Sequence, residues 1–185
     1  MSEFMLDVQF PLHRTFAALP LEKKAKCQFQ ALQKELEPFS DILRFQDPQS
    51  PHLTLQYWQE VMEIEYHSIV KQLQDIAAKT ERFTMQCTGA EIFGHRGQDN
   101  VLFLNVAFSE ELARVKKLCP WPSGKPFAPH ITLARIGHPQ RFAVHKKKIL
   151  KAVSDVVFDI PVSCIRLYAE IDGKKQTPIA DFRFP

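Results

Sequence analysis

Two stretches of this sequence, Pro51-His52-Leu53-Thr54-Leu55 and Pro129-His130-Ile131-Thr132-Leu133, repeat one pattern of histidine, apolar residue and threonine. With 7 His and 7 Thr in 185 residues, one H-x-T is expected about 0.26 times by chance. Two copies with the same flanking residue types are therefore hard to explain as an accident. Residues i and i+2 of a strand lie on the same face, about 6.5–7 Å apart. Each copy predicts a strand that presents His and Thr on one face.

The sequence around the two copies alternates between helix and strand patterns. Helical spacing of apolar residues predicts helices over residues 21–37, 60–79, 110–118 and 141–153, with Ser109 as the N-cap of the third. Apolar or alternating runs predict strands over residues 15–19, 52–58, 83–87, 101–108, 130–136 and 162–171. Residues 44–51 and the proline-rich residues 119–129 are predicted loops. Each half of the chain offers strand, helix and strand, which favours an α+β fold with an antiparallel or mixed sheet.

The composition is that of an ordinary globular chain. Hydrophobic residues make up 45% and charged residues 24%, which argues against a disordered chain. The formal net charge of +3 permits an anionic partner without requiring one. The four cysteines include no C-x-x-C pair, so neither a zinc finger nor a disulfide framework is expected. Without a secretory signal or a membrane-length apolar run, we expect a reduced, cytoplasmic protein with no membrane partner.

If the two motif strands lie side by side, two imidazoles and two hydroxyls meet on one polar surface. Such a surface suits cleavage of a cyclic phosphodiester, because in-line displacement at phosphorus needs a proton-transfer group on each side. Histidine, with an unperturbed pKa of about 6.5, can act as base or acid near neutral pH, and threonine hydroxyls can donate to phosphate oxygens. The alternative interpretation is a pair of surface strands whose polar side chains only face water.

The H-L-T-L and H-I-T-L pair resembles the two H-x-T-x signatures of the 2H phosphoesterase superfamily. Within it, the chain is most similar to the RNA 2′,3′-cyclic phosphodiesterase branch, also called 2′-5′ RNA ligase. The similarity runs over most of the chain and includes residues 14–19, 126–129, 133–135 and 167–170. It implies one domain over residues 1–185, with two pseudo-symmetric lobes and outer helices around a central cleft. Each lobe would contribute one motif strand, His52 to Leu55 or His130 to Leu133.

The resemblance also implies an activity, the metal-independent opening of RNA 2′,3′-cyclic phosphate ends to 2′-phosphates. His52 would be the proton donor to the leaving 3′ oxygen, and His130 the proton acceptor that activates water. Thr54 and Thr132 would hold the phosphate. Arg135 matches the family's arginine after the second motif and could contact phosphate or a base, although strict alternation places it opposite His130. The expected partner is RNA or a nucleotide with a cyclic phosphate end, bound by a monomer without cofactor or metal.

Two further features have both a functional and a structural interpretation. Phe16, Tyr57 and Trp58 could stack on a base, although aromatic residues more often pack in a core. The basic segment that contains Lys146-Lys147-Lys148 could follow an RNA backbone or form a solvated helix face. Two other functions stay open: a non-catalytic RNA-binding module, and a 2′-5′ RNA ligase that runs the reverse reaction in the same site.

Overall fold

Strands and helices alternate in the computed structural model, which describes residues 8–95, 97–122, 124 and 126–185. The strands are β1 (Leu12–Pro20), β2 (Leu43–Phe45), β3 (His52–Val61), β4 (Phe83–His95), β5 (Gln98–Val106), β6 (His130–Ile136), β7 (Val157–Val162), β8 (Cys164–Ile171) and β9 (Lys174–Arg183). The helices are α1 (Lys23–Glu35), α2 (Glu63–Ala78), α3 (Glu110–Leu118) and α4 (Pro139–Val153). Among the described residues, no helix is both long and apolar enough to cross a bilayer.

The strands form one curled sheet in the order β7-β4-β5-β6-β3-β1-β8-β9, with β2 paired to β6. Every strand pairing in the described part of the chain is antiparallel. The two motif strands, β3 and β6, are neighbours at the centre and pair through Leu53 and Ile131. The predicted α+β fold with two lobes is confirmed, and the cleft lies where the lobes meet.

The two lobes are interleaved along the chain rather than formed by its two halves. The first lobe contains β1, β3, β8 and β9, and the second contains β2, β4, β5, β6 and β7. Along the chain, the strands pass from the first lobe with β1 to the second with β2 and back to the first with β3. After α2, strands β4 to β7 belong to the second lobe, and the chain returns to the first lobe with β8. Contacts with β8 and β9 place α2 on the first lobe, whereas contacts with β4, β5 and β7 place α1 and α4 on the second.

The two faces of the sheet have different environments. The helices cover one face, where their apolar side chains and those of alternate strand residues, such as Leu53 and Ile131, form the main core. Phe16, Ala18 and Tyr168 form a separate small cluster on the other face. Because strand residues alternate between faces, the histidines and threonines of both motifs project from the uncovered, concave side.

Most predicted elements are present, but several strands differ. β4 continues to His95, past the predicted end at Cys87, and Glu60 and Val61, predicted as helix, belong to β3. The predicted strand 162–171 is two strands, β7 and β8, separated at Ser163. The short strand β2 occupies the start of the predicted loop 44–51, and β9 was not predicted at all. β9 contains Pro178 and begins with polar residues, which a sheet tolerates because β9 is an edge strand. Ser109 is the N-cap of α3 as predicted, since its hydroxyl accepts a hydrogen bond from the Leu112 backbone N–H at 3.1 Å.

Candidate active site

The pairing of β3 with β6 brings the two H-x-T motifs into one constellation. Continued by one residue either way from the Leu53–Ile131 pair, the antiparallel register places His52 opposite Thr132 and Thr54 opposite His130. The two histidines then occupy one diagonal of a four-residue surface and the two threonines the other. Diagonal neighbours across an antiparallel pair lie about 7–8 Å apart. A ligand atom placed at the centre of this surface would have the His52 imidazole on one side and the His130 imidazole on the opposite side.

A β-bulge follows each motif and changes which side chains reach the cleft. In β3, Thr54 pairs with Ala18 but Gln56 with Ala17, so one extra residue, Leu55, is inserted. In β6, Thr132 pairs with Phe103 but Ala134 with Leu102, so Leu133 is the extra residue. Each bulge shifts the in-and-out alternation by one position.

The bulges bring Tyr57 and Arg135 to equivalent positions three residues after the motif threonines. Both side chains line the cleft. Strict alternation, which places Arg135 on the face opposite His130, is therefore wrong here, because Leu133 and Ala134 both turn into the core. At this position the strand of the first motif has an aromatic ring, Tyr57, and the strand of the second motif has a guanidinium, Arg135.

Helix side chains bind the backbone carbonyls of both inserted residues. Lys116 of α3 donates from Nζ to the Leu55 carbonyl oxygen at 2.8 Å. Gln33 of α1 donates from Nε2 to the Leu133 carbonyl at 3.3 Å and to the Gln46 carbonyl at 2.8 Å. A bulge disrupts the ladder at the inserted residue, and its polar backbone groups need other partners when buried. The helices therefore hold the strand irregularities that shape the cleft.

Both motif histidines bind a backbone carbonyl in the same way. His52 Nδ1 lies 2.7 Å from the Ser50 carbonyl oxygen, and His130 Nδ1 lies 2.8 Å from the Ala128 carbonyl oxygen. A carbonyl oxygen can only accept, so in each ring Nδ1 carries the hydrogen. Nε2 of the neutral ring is then the atom with the lone pair, available for proton transfer.

The ring of His52 rests on a stacked aromatic pair. Its centroid lies 4.6 Å from that of Phe16 and 5.4 Å from that of Tyr168, and these two rings stack on each other at 4.7 Å. Burial is the main cause that lowers the pKa of His52 from 6.5 to about 4, and the charge of His130 lowers it further. The hydrogen bond to the Ser50 carbonyl and the charge of Asp47 partly offset this lowering. The coupling to His130 agrees with a short separation between the two rings.

Phe16, predicted as a candidate phosphate or base contact, is only 6% exposed, and its ring packs against those of His52 and Tyr168, which also contact each other. It lines the cleft and supports the His52 ring, and its contact with phosphate or a base stays a prediction.

His130 rests on a second aromatic pair that the sequence analysis missed. Its ring meets Phe93 edge-on at 5.0 Å and Phe103 at 5.6 Å, and Phe93 and Phe103 stack at 3.8 Å. The signal in the sequence is the hairpin pattern of β4 and β5, which places the two phenylalanines on neighbouring strands. The charged residues that follow Phe93 obscure this pattern.

The cleft is a cavity of about 640 Å³ on the concave face. Its lining includes His52, Thr54 and Thr132, and it also includes three cationic side chains, Arg14, Arg135 and Lys175. His130 is not part of this lining; its ring packs on Phe93 and Phe103 beside it. Arg14 forms an ion pair with Glu170 at 3.4 Å. The cationic lining suits an anionic ligand.

A hydrogen-bonded network fixes the backbone that holds His52. The buried Ser50 hydroxyl lies 3.0 Å from Asp47 Oδ2 and 3.1 Å from Gln176 Oε1. It thereby links the loop before β3 to the hairpin between β8 and β9. Across the described residues, no group of three or more His, Cys, Asp or Glu side chains is placed to hold a metal ion.

The basic helix α4 lies away from the cleft. Its apolar residues Phe142, Ile149 and Val153 pack into the main core on the helix-covered face. Arg141 is ion-paired to Asp41, and Lys146 to Asp99 at 2.9 Å. The cleft and α4 are therefore on opposite faces of the sheet, and α4 does not extend the cationic lining.

Comparisons with known proteins identify the family of this chain. The profile of the 2′-5′ RNA ligase superfamily matches residues 23–170. The chain is 26% identical over 134 residues to the RNA 2′,3′-cyclic phosphodiesterase of Aquifex aeolicus (strain VF5), covering 66% of this chain and 70% of that protein.

Three similar solved structures are TT0787 of Thermus thermophilus and E. coli LigT in its apo form and complexed with 3′-AMP. TT0787 has a TM-score of 0.67 and 24% identity over 92% of this chain and 98% of that chain. Apo LigT has a TM-score of 0.68 and 20% identity over 95% and 99%. LigT complexed with 3′-AMP has a TM-score of 0.65 and 18% identity over 94% and 98%. These similarities show a shared fold.

Proposed function

Because the chain belongs to the 2′-5′ RNA ligase superfamily, we propose that it hydrolyses RNA 2′,3′-cyclic phosphodiester ends to 2′-phosphates by two-histidine acid–base catalysis. The observation that carries this proposal is the diagonal arrangement of the histidines, each with Nδ1 bound to a carbonyl. An in-line displacement requires a proton acceptor and a proton donor on opposite sides of phosphorus. The constellation supplies one imidazole for each side.

In the proposed reaction, His130 Nε2 takes a proton from water while the water oxygen forms a bond to phosphorus. The bond from phosphorus to the 3′ oxygen breaks, and protonated His52 donates its Nε2 proton to that oxygen. The product carries a 2′-phosphate and a 3′-hydroxyl. Thr54 and Thr132 donate hydrogen bonds to the non-bridging oxygens, where fixed donors stabilise the charge of the transition state. Arg135 contributes a cation to the same oxygens or to the neighbouring nucleotide.

The low pKa of His52 implies that the substrate must promote its protonation. In the unliganded protein this ring is neutral at pH 7, because its pKa is lowered to about 4. A cyclic phosphodiester carries one negative charge, and an opposite charge within about 4–6 Å favours the protonated imidazole. The general acid therefore forms as the substrate binds, with uptake of a proton. We propose that the reaction uses no metal and no cofactor.

The decisive experiment is a panel of cyclic-ended RNAs and nucleoside 2′,3′-cyclic phosphates, with the phosphate position of each product determined by ³¹P NMR. We expect 2′-phosphates, with turnover unchanged by EDTA. Products with 3′-phosphates would reverse the assignment of the leaving oxygen. Loss of turnover in EDTA that zinc or manganese restores would contradict the acid–base scheme.

The same panel separates the alternatives. Binding without turnover would favour the RNA-binding module, and accumulation of joined product from cyclic and 5′-hydroxyl ends would favour the ligase.

A further inference from the structure

One residue of the cleft has a charge that does not suit an anionic ligand. Asp47 lines the cavity together with the cations Arg14, Arg135 and Lys175, and among the described lining residues it is the only carboxylate. A carboxylate repels phosphate oxygens, so the charge of Asp47 by itself weakens the binding of such a ligand. Its place in the cleft therefore needs another explanation.

Asp47 is held firmly by the segment that leads into the first motif. Its Oδ1 accepts a hydrogen bond from the Gln49 backbone N–H at 2.9 Å, which forms an Asx turn, and its Oδ2 lies 3.0 Å from the Ser50 hydroxyl. The Asp47 carbonyl oxygen also accepts from the Ser50 N–H at 3.3 Å. The carbonyl of the same Ser50 binds His52 Nδ1 at 2.7 Å. Ser50 thus connects the carboxylate to the imidazole.

Gln176 of β9 completes this cluster. The Ser50 hydroxyl also lies 3.1 Å from Gln176 Oε1, but it has only one hydrogen to donate. The carboxylate of Asp47 is the stronger acceptor, and a half-turn of the Gln176 amide lets its NH2 group donate to the Ser50 oxygen. Gln176 has a left-handed backbone with a φ of 59°, which a non-glycine residue keeps only where its surroundings hold it. The hairpin between β8 and β9 therefore fixes Ser50 from the other side.

The second motif has neither of these two polar groups. The segments that precede the two histidines are Asp47-Pro48-Gln49-Ser50-Pro51 and Lys125-Pro126-Phe127-Ala128-Pro129. Both have prolines at the same two positions, and in both the residue two before the histidine binds its Nδ1 through the backbone carbonyl. The second segment, however, has lysine in place of Asp47 and alanine in place of Ser50. The carboxylate and the hydroxyl that holds it are specific to the side of His52.

A carboxylate on this side favours the protonated form of His52. Burial lowers the pKa of His52 to about 4, and the Ser50 carbonyl and the charge of Asp47 act against this lowering. Neighbouring strands place other titratable groups around the ring, which are Arg14 of β1, His130 and Arg135 of β6, Tyr168 of β8 and Lys175 of β9. These groups are cationic or neutral near pH 7. Glu170 of β8 is ion-paired with Arg14 and is not part of the cavity lining.

We propose that Asp47 is a positioning residue for the general acid: held by Ser50 and Gln176, it fixes the carbonyl that orients His52 and keeps the proton on this ring when phosphate is bound. This inference rests on the proposed function and deepens it, because it explains which of two similarly held histidines donates the proton. The absence of a carboxylate at the equivalent position of the second motif suits His130 as the proton acceptor.

The test compares the pH dependence of kcat in wild type and Asp47→Asn on a cyclic-ended oligonucleotide. Asparagine can form the same Asx turn without the charge, so the segment keeps its shape. The fall of kcat at high pH reports the loss of the His52 proton in the enzyme–substrate complex. Removal of a negative charge favours that loss, and we expect this alkaline limb to move to lower pH by about 0.5–1 pH unit. Above the limb, kcat should fall about 3–10-fold, whereas KM should stay equal or fall.

A merely structural role of Asp47 gives a different result. The value of kcat would then fall by one factor at every pH, with the alkaline limb in place, and this outcome overturns the inference. On a substrate with a good leaving group, which needs no acid, Asp47→Asn should equal wild type. Asp75→Asn, an exposed aspartate on α2, is the matched control.

Ser50→Ala tests the link between the carboxylate and the ring, because it gives the first segment the residue that the second has at Ala128. The Asp47 carboxylate then loses one of its two donors. We expect the alkaline limb to move in the same direction as in Asp47→Asn, by a smaller amount. An unchanged limb would overturn the part of the proposal that assigns Ser50.

An NMR titration keeps the test independent of turnover. The ring ¹⁵N shifts of His52, assigned with His52→Gln, are followed over pH in wild type and Asp47→Asn, both saturated with sulfate. Sulfate does not titrate in this range and supplies the charge of the bound phosphate. The pKa of His52 should be lower in Asp47→Asn by about 0.5–1 pH unit, and equal pKa values overturn the inference. If wild type hydrolyses no cyclic phosphate but the two pKa values still differ, the proposed hydrolysis fails and the effect of Asp47 on the His52 proton stands.

Discussion

At the scale of single residues, the two motif histidines have the same tautomer but different surroundings. His52 is enclosed by Phe16 and Tyr168, and Asp47 partly offsets the pKa lowering that burial causes. His130 rests on two phenylalanines at the edge of the cavity. In the proposed reaction the two rings have separate proton-transfer roles.

Replacement of either histidine by alanine is expected to lower kcat by about 10²–10⁴-fold, since each variant lacks one proton-transfer group. The double variant should lose much less than the product of the two single losses, because residues that act together are non-additive. Steady-state kinetics on a cyclic-ended oligonucleotide measures these effects. His67→Ala, an exposed histidine on α2, is the matched control.

A substrate with a good leaving group in place of the 3′ oxygen assigns the two roles. It should rescue His52→Ala, which lacks only the acid, and leave His130→Ala impaired. Rescue of His130→Ala instead would exchange the roles. Near-normal turnover in both single variants would contradict the mechanism.

The lowered pKa of His52 also predicts how stability depends on pH. Above pH 6.5 the ring is neutral in folded and unfolded chains and contributes nothing. Between pH 6.5 and about 4 the unfolded chain binds a proton that the folded protein does not, so the free energy of unfolding falls. The contribution reaches about 3 kcal/mol. Urea unfolding from pH 7 to pH 4 should therefore show a larger stability loss for wild type than for His52→Gln; equal losses would rule out the lowered pKa.

At the scale of strands and helices, the bulges at Leu55 and Leu133 could not be predicted from the sequence. The four motif residues were named from their spacing and Arg135 from the family resemblance, but a period-two pattern cannot reveal one inserted residue. The insertion depends on tertiary partners, because Lys116 and Gln33 approach Leu55 and Leu133 from helices far away in sequence. For the same reason β2 and β9, which are short or at an edge, gave no clear strand pattern, whereas β6 was predicted with its full extent.

Removal of the donor at the first bulge is expected to destabilise the protein. Lys116→Met keeps most of the aliphatic chain but leaves the Leu55 carbonyl without its side-chain donor. An unsatisfied buried polar group costs about 1–3 kcal/mol, and the free energy of unfolding should fall by that amount in chemical denaturation. Lys117→Met, the exposed neighbour on α3, is the control and should stay within about 0.5 kcal/mol of wild type. Equal losses of unfolding free energy in the two variants would contradict a stabilising role for the Lys116 hydrogen bond at the bulge.

At the scale of the whole molecule, the sheet separates the reactive face from the basic helix. Charge reversal at Lys147 and Lys151, both exposed on α4, is expected to change kcat/KM on cyclic-ended RNA by less than about threefold at 0.15 M salt, where surface charges are screened beyond about 8 Å. Arg135→Ala, within the cleft, should lower kcat/KM by about 10–150-fold, as the loss of a charged hydrogen bond of about 1.5–3 kcal/mol. Steady-state kinetics at two salt concentrations compares the α4 variant with Arg135→Ala. A large loss in the α4 variant would mean that RNA reaches the outer face.

The interleaved lobes also set an order of events during synthesis on the ribosome. β1 pairs with β8, yet about 140 residues separate the two strands in the chain. At about 5–20 residues per second, β1 waits about 7–30 s before its partner emerges. During that interval β1 is an open edge that neighbouring nascent chains can pair with. Tyr168, on which the ring of His52 rests, arrives in the same late segment. The nascent chain therefore contains both histidines well before the first of them has its support.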